Sequence, residues 1–459
     1  MAGIGFELRK IYGKDTLASK VFGSVYATMA TIGPTVLFML LLFLIIFTMD
    51  YYKITELEKI FFTSSFMYLF LVAILISAIH NAVLSRYISD MIYEKKEDRI
   101  SAALYGCLIT GTLCTSVVMM ILCIYLYFHG MQDPLFLLTY YLLGVFATNA
   151  FNLLTFVSAL KEYKKITTSY FIGFSLSIPI FIVLINITDL PFVNIGYIAN
   201  AAAFFLINIF LIFNCIKAFG LPDKKMFRFI RYFKKYPYLV FTSFSYMLAF
   251  YITNIIYWNF GEGTAVVYGL KTAPVYDLAV FLAIIINLSA MVIFVVKTET
   301  EFYEKYVLYL SALAKGSYMR LEKERLSLQN TLQIQLFFVY EIQLIITIVS
   351  ICILIIVSPY FGISNTTINL FVVLGMGVYC LFSMYFTIIM LYYFEDYKGT
   401  ALSTVVFLIL VVFCSFWCIQ LGVTYYALPI LIGSIIGWIT SFVRLRNRMK
   451  DLNEYMFCR

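Results

Sequence analysis

Charge is scarce in this sequence. Only 13% of its 459 residues are Asp, Glu, Lys or Arg, whereas roughly 25% is usual in a soluble domain, and 63% are hydrophobic. So few charges cannot cover the surface of a soluble protein of this length. The composition therefore excludes an ordinary soluble enzyme and indicates a chain that lies mostly within a membrane.

Residues and motifs typical of catalysis are also few. The two histidines, His80 and His129, lie far apart, and neither a phosphate-binding GxxxxGK[ST] motif nor a metal-binding HExxH motif is present. The nine cysteines follow no metal-site or disulfide-framework spacing. No hydrophilic region is large enough for a sugar-nucleotide site. We predict that the protein is not an enzyme and needs no metal or cofactor.

Long apolar runs fill most of the chain. A helix needs about 20 apolar residues to cross the hydrocarbon core, so 459 residues leave room for about twelve spans. We predict an all-α, polytopic membrane protein with spans at residues 21–48, 61–85, 100–128, 135–160, 166–185, 195–215, 239–258, 275–296, 336–357, 368–394, 402–421 and 425–443.

The positions of the basic residues agree with twelve spans. Of the 33 lysines and arginines, all but Lys53, Lys59 and Lys271 fall on one predicted side. By the positive-inside rule that side is the cytoplasm, which predicts cytoplasmic N and C termini. The net charge of +8 thus reflects membrane topology, and we predict no nucleic-acid partner.

A basic, Pro-interrupted segment at residues 217–238 divides the chain into two halves of six spans. We predict an N-terminal lobe at 1–216, a cytoplasmic linker at 217–238, a C-terminal lobe at 239–443 and a basic tail at 444–459. Two such lobes around a central cavity are typical of transporters built from repeats.

The leading span of each half is rich in small polar side chains. The candidates for lining a substrate pathway are Ser24, Thr28 and Thr31 in the first half and Thr242 and Asn254 in the second. The alternative is that these groups bond to their own helix backbone or to a neighbouring helix. Gly33 and Pro34 predict a bend in the first span.

Ionisable residues inside spans are further candidates, because burying them in lipid is costly. Glu341 either faces a water-filled passage or reaches the inner surface. Asp277 follows Pro274 at the start of the eighth span, where a carboxylate also favours a helix N-terminus. Arg86 and Asp90, four residues apart, predict a structural ion pair.

The longest predicted inner loop, residues 297–335, contains an amphipathic pattern. Phe302, Tyr306, Leu310 and Leu313 recur at helical spacing and predict a helix at the inner surface. Its apolar face either packs on the protein's own base or docks a partner.

Six segments spread from Met1 to Leu402 resemble one known family. They are MAGIGFELRKI, LSRYISDMIY, FVSALKEYKKI, YDLAVFLA, KTETEFYEKY and YYFEDYKGTAL. In order and spacing this set is similar to the PelG family, the membrane transporter subunit of the Pel exopolysaccharide system. The resemblance implies the fold of the multidrug, oligosaccharidyl-lipid and polysaccharide exporter superfamily.

The resemblance also implies partners and a product. The partners would be a cytoplasmic glycosyltransferase and membrane scaffold subunits of a Pel-type synthase, and the product a hexosamine-rich polysaccharide of the biofilm matrix. We therefore expect a multi-pass exporter in the lipid bilayer of a bacterial cytoplasmic membrane, working by lobe rocking or through a continuous channel. The alternatives are a lipid-linked oligosaccharide flippase, a non-transporting synthase scaffold and an ion-coupled drug exporter.

Overall fold

Twelve helices dominate the architecture. The computed structural model describes residues 17–160, 163–220, 222 and 225–457, and within these ranges twelve helices are long and apolar enough to cross a membrane. The predicted all-α class and the number of spans are therefore confirmed. Which side of the membrane the termini occupy stays a prediction.

The first six spans are simple helices joined by short turns. Pro134 opens the fourth of them and Asp133 caps its backbone N–H groups, which is a strong local start signal. The bounds are α1 Leu17–Tyr51, α2 Glu56–Tyr93, α3 Glu97–Phe128, α4 Pro134–Ala159, α5 Tyr163–Ile187 and α6 Phe192–Phe219.

The second half differs by a helical extension and a small hairpin. A short helix precedes the seventh span, and two strands separate that span from the next. The bounds are α7 Ile230–Lys235, α8 Pro237–Phe260, β1 Thr264–Ala265, β2 Lys271–Thr272, α9 Pro274–Asn287, α10 Ser289–Lys315, α11 Tyr318–Val357, α12 Asn365–Tyr393, α13 Tyr397–Leu421, α14 Leu428–Lys450 and α15 Leu452–Phe457.

Residue contacts divide the chain into two compact units. Unit one comprises residues 1–32, 248–262 and 273–459, and unit two comprises 33–247 and 263–272. Helices α1 and α8 therefore each contribute residues to both units. The predicted lobes were drawn along the chain rather than by contacts, so their boundaries stay a prediction.

The core of unit two is aromatic. Phe66, on α2, packs its ring near Phe62, Phe70 and Tyr197, with centroids 5.1–5.4 Å apart. The Tyr197 hydroxyl lies 2.6 Å from the buried Ser65 hydroxyl. Because lipid is as apolar as these rings, close packing and buried hydrogen bonds stabilise the unit more than exclusion from water does.

The core of unit one is formed by α12 with α9 and α14. Gly377 lets α14 approach closely, and the Ser434 hydroxyl donates to the Gly377 carbonyl at 3.0 Å. On the opposite side, the Phe294 and Phe386 rings stack with centroids 4.3 Å apart. Small residues at one contact and flat rings at the other hold α12 in the centre of this unit.

The hairpin of β1 and β2 belongs to unit two by its contacts. The Tyr125 hydroxyl donates to the Gly269 carbonyl at 2.8 Å, and the Tyr68 hydroxyl donates to the Lys271 carbonyl at 3.0 Å. Gly269 has a φ of +77°, and a Cβ there would lie 2.5 Å from His129 Cδ2. Only glycine fits this turn without strain.

Candidate functional site around Asp277

Asp277 is a buried carboxylate at the start of a membrane span. It is the fourth residue of α9 and only 9% exposed. Within the described ranges one other carboxylate, Asp396, is buried, and it lies in the turn between α12 and α13. Asp277 is therefore the buried acid that lies within an apolar span, where an ionisable group is costly and commonly functional.

Three donors hold the Asp277 carboxylate. Asn254 Nδ2 donates to Oδ1 at 2.7 Å, Trp258 Nε1 lies 3.0 Å from both oxygens, and the Ala273 backbone N–H donates to Oδ2 at 3.1 Å. Two of these donors come from α8, and the third comes from Ala273, which immediately precedes α9. The carboxylate thus pins the end of α8 to the beginning of α9.

Helical spacing explains why α8 supplies two donors. Asn254 and Trp258 are four residues apart, so their side chains lie on the same face of α8. Trp258 is almost fully buried, and its indole N–H needs an acceptor in that environment. Asp277 is that acceptor, and its position near the α9 N-terminus also favours negative charge.

Tyrosines pack beside this cluster. The Tyr257 and Tyr426 rings stack with centroids 3.9 Å apart, and the Tyr257 hydroxyl donates to the Tyr426 carbonyl at 3.0 Å. Tyr276 meets Tyr257 edge-on at 4.8 Å. All three rings are buried, so this side of the cluster is closed to water.

The electrostatics of the cluster are unusual because none of the three donors carries a charge. A carboxylate held only by neutral dipoles in an apolar region keeps a net negative charge that a proton or a cation can neutralise. The Asn254 Oδ1 atom is buried there without a hydrogen-bond partner. The junction of α8 and α9 therefore holds both carboxylate oxygens of Asp277 and the Oδ1 atom of Asn254, all of which are hydrogen-bond acceptors.

A second polar network lies where the eighth span breaks between α9 and α10. Gln343 Oε1 accepts from Ser289 at 2.9 Å, and Thr347 Oγ1 donates to Asn287 Oδ1 at 3.0 Å. Asn287 Nδ2 donates onward to the Gly375 carbonyl at 3.1 Å. The buried polar groups of this network have hydrogen-bond partners, which is characteristic of a network that stabilises the fold. Sequence reasoning missed it, although Gln343 and Asn287 are visible as polar residues within spans.

Among the predicted pathway residues whose side chains the structure describes, Asn254 and Asp277 are joined by a hydrogen bond. Thr242 donates to the Tyr238 carbonyl of its own helix at 2.7 Å, and Thr31 donates to the Thr28 carbonyl at 3.4 Å. These bonds correspond to the alternative role weighed for such hydroxyls. The side chain of Ser24 lies outside the described residues.

Glu341 is exposed on α11 and is not among the partners of Asp277. Its helix neighbours Phe338 and Ile345 are exposed as well. The preceding residue, Tyr340, is instead buried, and its hydroxyl lies 2.9 Å from the Thr387 hydroxyl. Whether Glu341 serves the substrate pathway stays a prediction.

The Arg86–Asp90 ion pair is present, with Arg86 Nε 3.1 Å from Asp90 Oδ1. Asp90 also accepts from the Tyr232 hydroxyl of α7 at 3.1 Å. Helix α1 runs without interruption through Gly33 and Pro34, and the boundary between the two units falls at Gly33. The predicted bend at this point stays a prediction.

The amphipathic segment of the inner loop is helical and packs on the protein itself. Phe302 is buried, its ring lies 5.2 Å from that of Tyr393, and the Tyr306 hydroxyl donates to the Tyr393 carbonyl at 3.1 Å. Leu310 and Leu313 are partly buried. Packing on the protein's own base therefore occupies Phe302 and Tyr306, and partner docking through this segment stays a prediction.

A charged cluster that sequence reasoning missed surrounds Asp396. Arg444 Nε lies 2.6 Å and Arg448 Nη2 3.0 Å from Asp396 Oδ2, and the Gly399 N–H donates to Oδ1 at 3.1 Å. Burial opposes ionisation, but the two guanidinium groups and the backbone donor outweigh it and lower the pKa of Asp396 below its usual value. Asp396 therefore stays ionised as a cap for α13.

Solved structures that the chain resembles in fold include transporters of the MOP superfamily. The chain is similar to an outward-facing multidrug resistance MATE family transporter, with a TM-score of 0.66 and 13% identity over 94% of this chain and 95% of that one. A MOP superfamily transporter from Pyrococcus furiosus matches with a TM-score of 0.63 and 13% identity, covering 94% and 96%. The eukaryotic MATE transporter AtDTX14 matches with a TM-score of 0.57 and 10% identity, covering 98% and 99%. The protein thus has a MATE-like transporter fold.

The chain belongs to the PelG family. The model of that family, described as "Putative exopolysaccharide Exporter (EPS-E)", matches residues 1–457, which confirms the family resemblance of the six segments. No curated protein matched with significance. The molecule is thus a multi-pass membrane protein of an exopolysaccharide exporter family with the MOP transporter fold.

Proposed function

We propose that this chain exports a hexosamine-rich, Pel-like polysaccharide across the cytoplasmic membrane of a bacterium. The family match over residues 1–457 carries this proposal, and the transporter fold supports it. A cytoplasmic glycosyltransferase and membrane scaffold subunits supply and hold the growing polymer. The exported polymer enters the biofilm matrix.

We assign the Asp277 cluster a positioning role in export. Asn254, Trp258 and the Ala273 N–H converge on one carboxylate and join α8 to α9. A junction made of hydrogen bonds to a single charge can be strengthened or weakened by neutralising that charge. Asp277 is therefore the residue through which a bound cation or proton influences these two spans.

The test compares matched cells with and without this chain while the remaining synthesis genes stay intact. External and internal hexosamine polymer are measured in both. Loss of external polymer with accumulation of internal chains supports polymer export, whereas accumulation of lipid-linked precursors supports a flippase. Loss of both, with the glycosyltransferase released from the membrane, indicates a scaffold. Unchanged external polymer contradicts the polysaccharide proposal.

Ion-coupled export of a small molecule is a second candidate. One observation favours it: Asp277 is buried and all its donors are neutral, so a proton or a cation can neutralise it. Export that depends on a proton or sodium gradient, requires Asp277 and leaves external polymer unchanged supports this candidate over the first.

A further inference from the structure

The segment between α6 and α8 is strongly basic and lies directly beside a membrane span. Residues 225–238 contain no Asp or Glu. Helix α7 ends at Lys235 and α8 begins at Pro237, two residues later. The last residue of α7 is therefore within about 7 Å of the first residue of α8. The basic residues of the segment are Lys225, Arg228, Arg231, Lys234 and Lys235.

One face of this segment is fixed to unit two. Phe229 is fully buried, and Gly106 on α3 lacks the side chain that would collide with it and with the Met226 carbonyl. The Tyr232 hydroxyl donates to Asp90 at 3.1 Å. These contacts orient α7 and determine which residues face outward.

The outward face combines apolar and basic side chains. Phe227 is 50% and Ile230 is 41% exposed. Lys225, Arg231 and Lys234 are exposed beside them. Lys235 is exposed as well, but its ammonium group already contacts the protein, 5.0 Å from the centroid of the Tyr236 ring. Exposed apolar residues interleaved with lysine and arginine are typical of a helix that lies in a membrane interface.

We propose that residues 225–238 form an interfacial anchor that binds anionic lipid headgroups of the inner leaflet. Lys225, Arg231 and Lys234 contact the lipid phosphates, and Phe227 and Ile230 enter the upper acyl region. The charge complementarity is complete, since the segment is basic and the cytoplasmic leaflet is the anionic one. Lipid is favoured over an acidic protein because the segment adjoins a span end and exposes apolar residues there. This inference is independent of the substrate that the protein exports.

The full-length protein is purified, and its thermal unfolding midpoint is measured with phosphatidylglycerol or with zwitterionic phosphatidylcholine. We expect phosphatidylglycerol to raise the midpoint of the wild type. The variant Lys225→Gln/Arg231→Gln/Lys234→Gln should lose about half or more of this increase, because each basic group near the surface contributes separately. All three side chains are exposed, so the substitutions leave the fold intact.

A matched control has the same change of charge elsewhere. Lys315→Gln/Arg320→Gln/Lys323→Gln removes three exposed charges around the turn between α10 and α11. This control should keep the wild-type response to phosphatidylglycerol. An equal loss in both triple variants would overturn the proposal, because the effect would then follow from net charge alone.

Two further comparisons test whether the bound phosphate belongs to a lipid and whether Phe227 and Ile230 contribute to lipid binding. Inorganic phosphate at the same concentration should leave the wild-type midpoint unchanged, and an equal stabilisation by phosphate would contradict a lipid site. Phe227→Gln/Ile230→Gln should reduce the part of the lipid response that survives high salt, which screens exposed charges. Tyr318→Gln/Met319→Gln, at the exposed turn, should not. An equal reduction in both double variants would contradict insertion of Phe227 and Ile230.

Discussion

Two buried carboxylates among the described residues of unit one are held in opposite ways. Asp396 pairs with Arg444 and Arg448 at the edge of the spans, whereas Asp277 is held by an amide, an indole and one backbone N–H within the spans. A charge neutralised by two permanent cations stabilises a fold. A charge held by neutral donors can still respond to a cation or a proton. We therefore propose that Asp396 stabilises the fold and that Asp277 acts in export.

The largest expected effect is on export, from Asp277→Asn. The substitution removes the charge and turns an amide NH₂ toward buried donors, and an unmatched buried donor costs about 1–3 kcal/mol. We expect export per folded molecule to fall about tenfold or more, which corresponds to 1.4 kcal/mol or more in the barrier. External polymer normalised to membrane abundance measures it.

The control for Asp277→Asn is Asp189→Asn, the same chemical change at an exposed position between α5 and α6. It should export normally. If both variants lose export to the same extent, Asp277 has no special role and the comparison of the two carboxylates fails.

Asp396→Asn should mainly lower stability. It leaves two guanidinium groups without their carboxylate, and breaking a buried pair costs about 3–5 kcal/mol, less where solvent reaches the partner. Because Arg444 is partly exposed, we expect about 2 kcal/mol and a lower thermal unfolding midpoint. Export per folded molecule should stay at the wild-type level, and a folded variant without export would be the contradictory result.

The difference in stability between wild type and Asp396→Asn should depend on pH. The pKa of Asp396 is lower in the folded protein than in the unfolded chain, so its contribution is fully present above the unfolded pKa. It is lost as pH falls through the lower, folded value. The stability difference between wild type and Asp396→Asn should therefore shrink upon acidification below about pH 4. If the stability difference between the two proteins stays constant even below the pKa of Asp396 in the folded protein, the effect of the substitution is not electrostatic.

Trp258→Phe should have an intermediate effect on export. It removes one of the three donors to Asp277 but keeps an aromatic ring in a buried position. We expect a loss of a few-fold, because the charge of Asp277 and two of its three donors remain. Trp417→Phe, at an exposed position on α13, is the control. A loss as large as that of Asp277→Asn would mean that the indole itself, rather than the charge, is essential.

The smallest effect is expected from Gly269→Ala in the hairpin that joins α8 to α9. Alanine at a φ of +77° costs about 1 kcal/mol of strain, and its Cβ would collide with His129. Gly362 has a similar positive φ and no neighbour within 4 Å of an added Cβ, so Gly362→Ala measures the backbone strain without a collision. The unfolding midpoint should fall more for Gly269→Ala, and equal decreases would exclude the collision as a cause.

The spans were predictable because each is a long apolar run, and apolar length alone defines a helix that crosses a membrane. Asn254 and Asp277 were predictable as polar residues within spans. Their contact was not, because a hairpin separates α8 from α9 and only the folded chain shows that both side chains point to the same place. Trp258 was not among the predicted site residues, although its spacing of four from Asn254 places both on one face of α8.

The Asp396 cluster shows more clearly which contacts a sequence alone does not predict. Its arginines lie 48 and 52 residues later in the chain, and no local pattern links them to the acid. By contrast, the amphipathic period of Phe302 and Tyr306 predicted the helix directly. The surface against which it packs, at Tyr393, depends on tertiary structure and had no signal in the sequence.

The most direct measurement is external hexosamine polymer per folded, membrane-inserted molecule, compared side by side for wild type, Asp277→Asn and Asp396→Asn in cells that lack the native chain. We predict wild-type export per molecule for Asp396→Asn at reduced abundance. For Asp277→Asn we predict export per molecule that is lower by about tenfold or more. Equal export per molecule in the two variants, or external polymer that does not depend on the chain at all, would contradict this account.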